Sequence, residues 1–201
     1  TPATITVMAH PKAKVYGAPE PLLTHTTAGL KRGESSATVL TGHLTRTGTE
    51  DVGIYTIEPG TLAANSNYRI DYVSADFEIT PAELTVTAET KTKIYGDTDP
   101  ALTYTVTGLQ RSEEASAVLT GSLTRTDTEE VGIYTINQGN LLANRNYTLV
   151  YEVADFEITP ATLTVTADAK TKIYGEIDPA LTYTVSGLKR NDKTATTLTG
   201  S

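Results

Sequence analysis

Cysteine is missing from all 201 residues of the chain. That excludes a disulfide framework, a thiolate metal site and a cysteine nucleophile together. A domain without cross-links must hold itself through its apolar core and its backbone ladders. No apolar run approaches the roughly 20 residues that a membrane-spanning helix needs, and no stretch reads as a signal peptide. Basic residues are the minority, 16 Lys and Arg against 24 Asp and Glu, for a net charge of −8. No basic patch recurs along the chain. Nucleic acid, anionic membrane surfaces and membrane insertion are therefore not expected. The acidity reads as solubility.

What the chain does have is repetition. KTKIYGDTDPALTYTVTGL at 91–109 returns as KTKIYGEIDPALTYTVSGL at 170–188 and, in worn form, as KAKVYGAPEPLLTHTTAGL at 12–30. The pairs Tyr16-Gly17, Tyr95-Gly96 and Tyr174-Gly175 are spaced by 79 residues both times, with no insertion or deletion. Self-similarity at a fixed period marks tandem structural units. Two phases fit: repeats at 1–79 and 80–158 with a first half at 159–201, or a partial 1–43 followed by 44–122 and 123–201. In the first phase the three pieces carry charges of −2, −7 and +1. A unit this small buries only about 60% of its unfolded surface, so contact between neighbouring repeats is expected to help. The chain opens at a repeat start and stops within a repeat, so it reads as a piece of a longer array. Its spare half is expected to pair with its neighbour or, by strand exchange, with another molecule.

Each copy opens on Thr-Pro-Ala, then LTVTA (84–88), where Leu, Val and Ala alternate with Thr as in a half-buried strand. Lys91 and Lys93 share one face and Ile94 takes the other. Gly96 permits a turn, and Pro100 marks a connection rather than a central strand. LTYTVTG (102–108) alternates again, with Leu102, Tyr104 and Val106 inward. RSEEASAVLTG (111–121) is the one helix candidate, two turns at most, with Ser112 as cap, Glu113 and Glu114 at its positive end and Gly121 as its stop. The equivalent runs end at Gly42 and Gly200. SLTRT (122–126) and VGIYTI (131–136) read as strands. In YTLVYEV–ADFEI, Tyr147, Leu149, Tyr151 and Val153 share a parity that Phe156 and Ile158 do not. That switch predicts a bulge or bend at 153–155. Pro81 and Pro160 join successive copies without a flexible linker, which predicts a restricted orientation. The expected fold is α+β and β-dominated. Each small domain would be a mostly antiparallel sheet with one short helix packed on it, β-grasp-like; the alternative is an all-β Ig-like sandwich.

The ordered series LTVTA, Lys-x-Lys-x-Tyr-Gly, Asp-Pro-Ala-Leu-Thr-Tyr-Thr-Val-x-Gly-Leu, Leu-Thr-Gly-Ser-Leu-Thr-Arg, Val-Gly-x-Tyr-x-Ile and Phe-x-Ile-Thr-Pro-Ala resembles the MBG domain of the YGX type over the whole chain. The resemblance implies tandem modules of large bacterial surface and secreted proteins, often adhesin-like, and an extracellular location. It implies no catalytic residues. The first copy departs most, with His25 in place of Tyr104 and Ala18-Pro19 in place of an acidic turn.

Candidate chemistry is sparse. His10, His25 and His43 all lie in the first copy, opposite Glu89, Tyr104 and Ser122, so no imidazole function recurs. Asp97 with Asp99, and Glu176 with Asp178, are carboxylates two apart in a turn. Ordinary turn chemistry accounts for them, and interdomain calcium is the alternative, although calcium wants six or more oxygens. The lysine pairs 12/14, 91/93 and 170/172 read as edge-strand protection; a Lys–Asn isopeptide bond using Asn65/Asn144 or Asn67/Asn146 is the sharper alternative. All eleven tyrosines fall at repeat-equivalent positions, which argues for packing with the hydroxyl reaching water or a partner. The expected function is a non-catalytic stalk or spacer of a bacterial adhesin, partnered by its own neighbouring repeats. A glycan- or host-protein-binding module acting through multivalency is the alternative. No nucleophile or acid–base constellation recurs, so no enzyme is expected.

Overall fold

A computed structural model of the chain describes residues 1–199. Gly200, read above as the end of the third helix run, and Ser201 lie outside the described residues. Repeat 1 runs through β1 (Ala3–Ala9), β2 (Lys12–Val15), β3 (His25–Ala28), α1 (Ser36–Val39), β4 (Leu40–Thr41), β5 (Thr45–Arg46), β6 (Gly53–Glu58), β7 (Ala63–Ala64), β8 (Tyr68–Val73) and β9 (Ala75–Thr80). Repeat 2 follows the same order: β10 (Ala82–Ala88), β11 (Lys91–Ile94), β12 (Tyr104–Thr107), α2 (Ala115–Val118), β13 (Leu119–Thr120), β14 (Thr124–Arg125), β15 (Gly132–Asn137), β16 (Leu142–Ala143), β17 (Tyr147–Glu152) and β18 (Ala154–Thr159). The third copy contributes β19 (Thr164–Ala167), β20 (Tyr183–Ser186) and α3 (Thr194–Thr197). With 43% strand against 6% helix, the fold is β-dominated, as the alternation of Thr with apolar residues requires.

The single sheet expected for each copy is corrected to three small ones. Repeat 1 forms β3-β1-β8, β2-β9-β6-β5 and β4-β7, and repeat 2 forms their counterparts. Most pairings in repeat 1 are antiparallel, but β1 runs parallel to β8 and β2 parallel to β9. Those parallel pairs set the fold apart from an antiparallel Ig-like sandwich. The reason for the split is the parity switch. β8 and β9 are separated only by Ser74, and β17 and β18 only by Val153, and each passes there from one sheet to the next. Side chains that face the core of the first sheet would face away from the second unless one residue intervened. Val153, at the bend expected for 153–155, is that residue in repeat 2 and is 62% exposed.

The first sheet of repeat 1 covers a core of Ile5, Val7, Val39 and Tyr68, with Leu30, Leu62, Ile70 and Tyr72 packed around it. The second sheet buries Ile57, Phe77 and Ile79. In repeat 2, Leu84, Val86 and Ala88 point inward as the alternation indicates, and so do Ile136, Phe156 and Ile158. The helix is a single turn at 115–118, within the two turns allowed, and is capped at Glu114 with no side-chain bond. Ser112 is not its cap, and Gly121 does not end it. The turn passes straight into β13, whose first residue Leu119 is buried. Without a cap or a basic last turn, four residues hold only because Val118 is anchored in the core.

Two compact units result. One holds residues 1–86, 106–120 and 142–150; the other holds 87–105, 121–141 and 151–199. The division falls inside repeat 2.

Candidate functional site: an ionic clasp and an inter-repeat socket

Each full repeat builds the same four-membered ionic clasp. In repeat 2, Lys93 Nζ donates to Asp99 at 2.7 Å and to Glu129 at 2.5 Å. Arg125 donates to both carboxylates at 2.5 Å and lies 4.8 Å above the Phe156 ring. Arg125 also donates to the Thr126 and Thr128 carbonyls. Repeat 1 repeats the pattern with Lys14, Glu20, Glu50 and Arg46, the last 5.0 Å from Phe77. The cations are the buried members, with side chains 3–9% exposed, while the carboxylates keep one flank in water. In the third copy Lys172 pairs with Asp178.

The electrostatics follow from this alternation of charge. The Arg125 hydrogen bond, helped by Lys93, holds the Asp99 carboxyl down to about 2 although burial pushes it the other way. Burial alone would lower Lys93, but the hydrogen bonds to Asp99 and Glu129 outweigh it and hold its ammonium above the ordinary value. These directions oppose amide formation, which needs a neutral amine and a protonated acid. The asparagines are used elsewhere, since Asn65 and Asn144 each accept the amide two residues on. The edge-strand reading of the lysines needs a matching correction. β2 and β11 are edge strands, but Lys14 and Lys93 turn inward while Val15 and Ile94 are each 47% exposed.

The Tyr-Gly pair forms the next layer. Val15 O accepts the Ala18 amide at 3.0 Å and Ile94 O accepts the Asp97 amide at 3.0 Å, closing turns with Gly17 and Gly96 at φ of 78° and 82°. Only glycine takes that conformation without strain. The turn in repeat 1 presents Tyr16 to repeat 2. Its hydroxyl donates to Glu113 at 2.8 Å, and its ring meets Tyr147 edge-on, with centroids 5.4 Å apart. Tyr147 donates to the same Glu113 and accepts the Gln110 amide at 2.8 Å. Beside it, Asn146 bridges the Val52 amide and Asp51, both at 2.9 Å, and Arg145 pairs with Asp51 at 3.1 Å. Arg111 reaches Glu50 of the clasp at 3.6 Å, so clasp and socket touch.

The second compact unit shows the motif again. Tyr95 donates to Asp192 at 3.4 Å, Lys189 pairs with Asp97 at 2.8 Å, and Arg190 pairs with Glu129 at 3.0 Å. A cavity of about 210 Å³ lined by Tyr95, Val131, Pro160, Leu163 and Leu188 lies beside it. The socket rim is strained in the same place each time. Arg111 and Ser112 lie at φ of 55° and 59°, and Arg190 and Asn191 at 51° and 65°, in the left-handed region that non-glycine residues avoid. Glycine takes the second of these positions only in repeat 1, at Gly33.

Of the residues read from the sequence, the three Tyr-Gly pairs sit at these turns. Asp97 and Asp99 are paired with Lys189, Lys93 and Arg125 rather than grouped for a cation, and Asp178 is paired with Lys172. Glu176 is exposed. Among the described residues no group of three or more His, Asp or Glu is arranged to hold a metal. Glu113 and the Arg111 turn are what the sequence reading missed. Their signal was the recurrence of Arg32, Arg111 and Arg190 and of Glu34, Glu113 and Asp192 at the repeat spacing.

Replacing Gly17 with alanine is expected to destabilise the chain by about 1–2 kcal/mol from the left-handed backbone alone. An added Cβ would also stand 2.6 Å from Gln110 Cβ. Gly175→Ala supplies the control, since its φ is 88° and nothing lies within 4 Å of an added Cβ. Urea midpoints should fall further for Gly17→Ala than for Gly175→Ala. Equal losses would show that the close approach to Gln110 contributes nothing.

A family model for the MBG domain (YGX type) matches residues 5–78, 84–157 and 163–201. No curated protein and no solved structure matches the chain.

Proposed function

The chain belongs to the YGX-type MBG domain family, whose repeats occur in surface proteins, and on that premise we propose that it is a non-catalytic spacer of a bacterial cell-surface or secreted adhesin, projecting a binding region from the cell. A spacer needs joints that transmit orientation, and one observation supports that role above the rest. Tyr16 of one repeat is lodged on Glu113 and Tyr147 of the next, and Tyr95 stands to Asp192 in the same relation. A repeat acting only as a tethered bead would need no such lodging. Thr80-Pro81-Ala82 places a single residue between β9 and β10, so little chain is left over to swing. No helix among the described residues is long and apolar enough to cross a membrane.

The absence of cysteine makes the joint easy to measure. Exposed Ser66 and Ser116 would be changed to cysteine and spin-labelled, one on each repeat. The expected result is a narrow distance distribution that broadens when Tyr16→Ala and Asp51→Ala are introduced together. A distribution already broad in the parent chain would defeat the spacer reading.

A further inference from the structure

We infer that Asp99-Pro100 is a latent self-cleavage site and that the clasp cations Lys93 and Arg125 keep it shut. An acidic residue precedes proline in this loop of every copy, at Glu20-Pro21, Asp99-Pro100 and Asp178-Pro179. A bond from aspartate to proline is open to attack by the aspartate's own side chain in acid, because the nitrogen of this tertiary amide is a better base and a better leaving group than that of an ordinary peptide. Water is the only co-reactant. The Asp99 carboxyl oxygen bonds to the Asp99 backbone carbonyl carbon, the bond from that carbon to the Pro100 nitrogen breaks, and the carboxyl proton passes to the departing nitrogen. Water then opens the five-membered anhydride, leaving Asp99 with a free α-carboxyl group and Pro100 as a new N-terminus. Glutamate at position 20 would have to close a six-membered ring, so repeat 1 carries the clasp without the labile bond.

Geometry blocks the first step. Lys93 Nζ holds Asp99 Oδ1 at 2.7 Å, and Arg125 holds Oδ2 at 2.5 Å and Oδ1 at 3.1 Å. Neither oxygen can swing onto the backbone carbonyl carbon without leaving a cation whose side chain is only 3% or 8% exposed. The cations are themselves fixed. Lys93 is held by Glu129 and the Asp97 carbonyl, and Arg125 by Glu129 and the Thr126 and Thr128 carbonyls. Across the clasp, Glu129 is also met by Arg190. Lys93 and Arg125 keep the Asp99 carboxyl ionised in mild acid as well, so the proton that the leaving nitrogen needs is missing. Access is not the barrier, since the Asp99 side chain is 40% exposed and water can reach it. This chemistry concerns one peptide bond in repeat 2 and does not depend on the spacer reading.

The test is mass spectrometry of the chain held at pH 3.8, where a free aspartate is half ionised. Asp178-Pro179 in the same chain is the reference bond, since among the described residues only Lys172 holds its carboxylate and its side chain is 82% exposed. In urea, fragments beginning at Pro100 and at Pro179 should appear at the same rate. In the folded chain the Pro100 fragment should appear about tenfold or more slowly than the Pro179 fragment, as the lower protonation of Asp99 requires. Arg125→Lys keeps a cation but loses the fork that bridges both oxygens. It should raise the Pro100 rate beyond what its unfolded fraction accounts for, that fraction being read from urea titration at the same pH. Equal rates at the two bonds in the folded parent would overturn the proposal. So would a variant whose Pro100 rate equals its unfolded fraction times the rate in urea, because protection would then come from folding as a whole and not from the clasp.

Discussion

Replacing Arg125 with methionine is expected to cost about 3 kcal/mol, the low end for removing one partner of a buried ion pair, since both carboxylates keep contact with water. The change keeps the stem that packs on Phe156 but strips five donors. Asp99 then depends on Lys93 alone and Glu129 on Lys93 and the exposed Arg190, and the Thr126 and Thr128 carbonyls lose the Arg125 donor, Thr126 keeping only the Thr128 amide. The acid limb should change too. Asp99 is depressed to about 2 in the fold against 3.8 for the free group, so its contribution is complete above pH 4 and is lost as pH falls towards 2. Its side chain is 40% exposed, so screening keeps that contribution below about 1 kcal/mol. Urea unfolding at neutral pH and through the acid range would separate the two effects. The parent should weaken across the acid window and Arg125→Met should be flatter there. A loss under about 1 kcal/mol at neutral pH would mark the clasp as incidental. Arg46→Met in repeat 1, stacked on Phe77, should behave alike.

The clasp shows where reading the sequence stops. Period-2 alternation gave the inward faces at Leu84, Val86 and Ala88 and at Phe156 and Ile158, because a pleat forces alternate side chains to one side. The alternation holds at Lys93-Ile94 as well, but hydropathy assigns its two faces the wrong way round. It sends the lysine out and the isoleucine in, and the reverse is true. Inversion there depends on Glu129, 36 residues further on, and on Arg125, which share the charge with Lys93. No local pattern encodes a partner at that separation. The parity switch before Ala154 was legible as a bend, but not as a passage between two sheets. A bend is a local property, whereas sheet membership depends on which distant strand lies alongside.

Glu113 was misread for a related reason. Two acids ahead of a short helix look like residues placed against its positive end. Glu114 does stand at the cap, but Glu113 is turned to Tyr16, 97 residues earlier, by the left-handed turn at Arg111 and Ser112. The Tyr-Gly pair announced itself by recurrence, but its role did not, because a turn and a plug have the same sequence. The helix ends were misplaced because capping signals were counted as if the segment had to stand alone. In the fold the segment is held by Val118 in the core and needs only one turn.

The joint should therefore be sensitive to alkali. Burial, and then the hydrogen bond to Glu113, push the Tyr147 hydroxyl up to about 12, against 10.0 for a free tyrosine. Tyr16, buried and bonded to the same carboxylate, is raised as well. A raised value means that the fold binds the proton more tightly than the unfolded chain does. The stabilisation is thus complete below pH 10 and is lost as pH rises towards 12. Two pH units correspond to about 2–3 kcal/mol for Tyr147. The groups facing it are Glu113, Tyr16 and the Gln110 amide, and a tyrosinate beside Glu113 would set two negative charges against each other. Tyr147→Phe removes the titration and leaves Glu113 and the Gln110 amide short of a partner, a loss of about 1–3 kcal/mol at neutral pH. Its stability should then decline less steeply than that of the parent across the alkaline range. Tyrosinate absorbance should show correspondingly fewer late-titrating groups. Identical alkaline slopes for the two chains would mean that Tyr147 is not the hinge pin of the joint, and Tyr16 would have to be tested in its place.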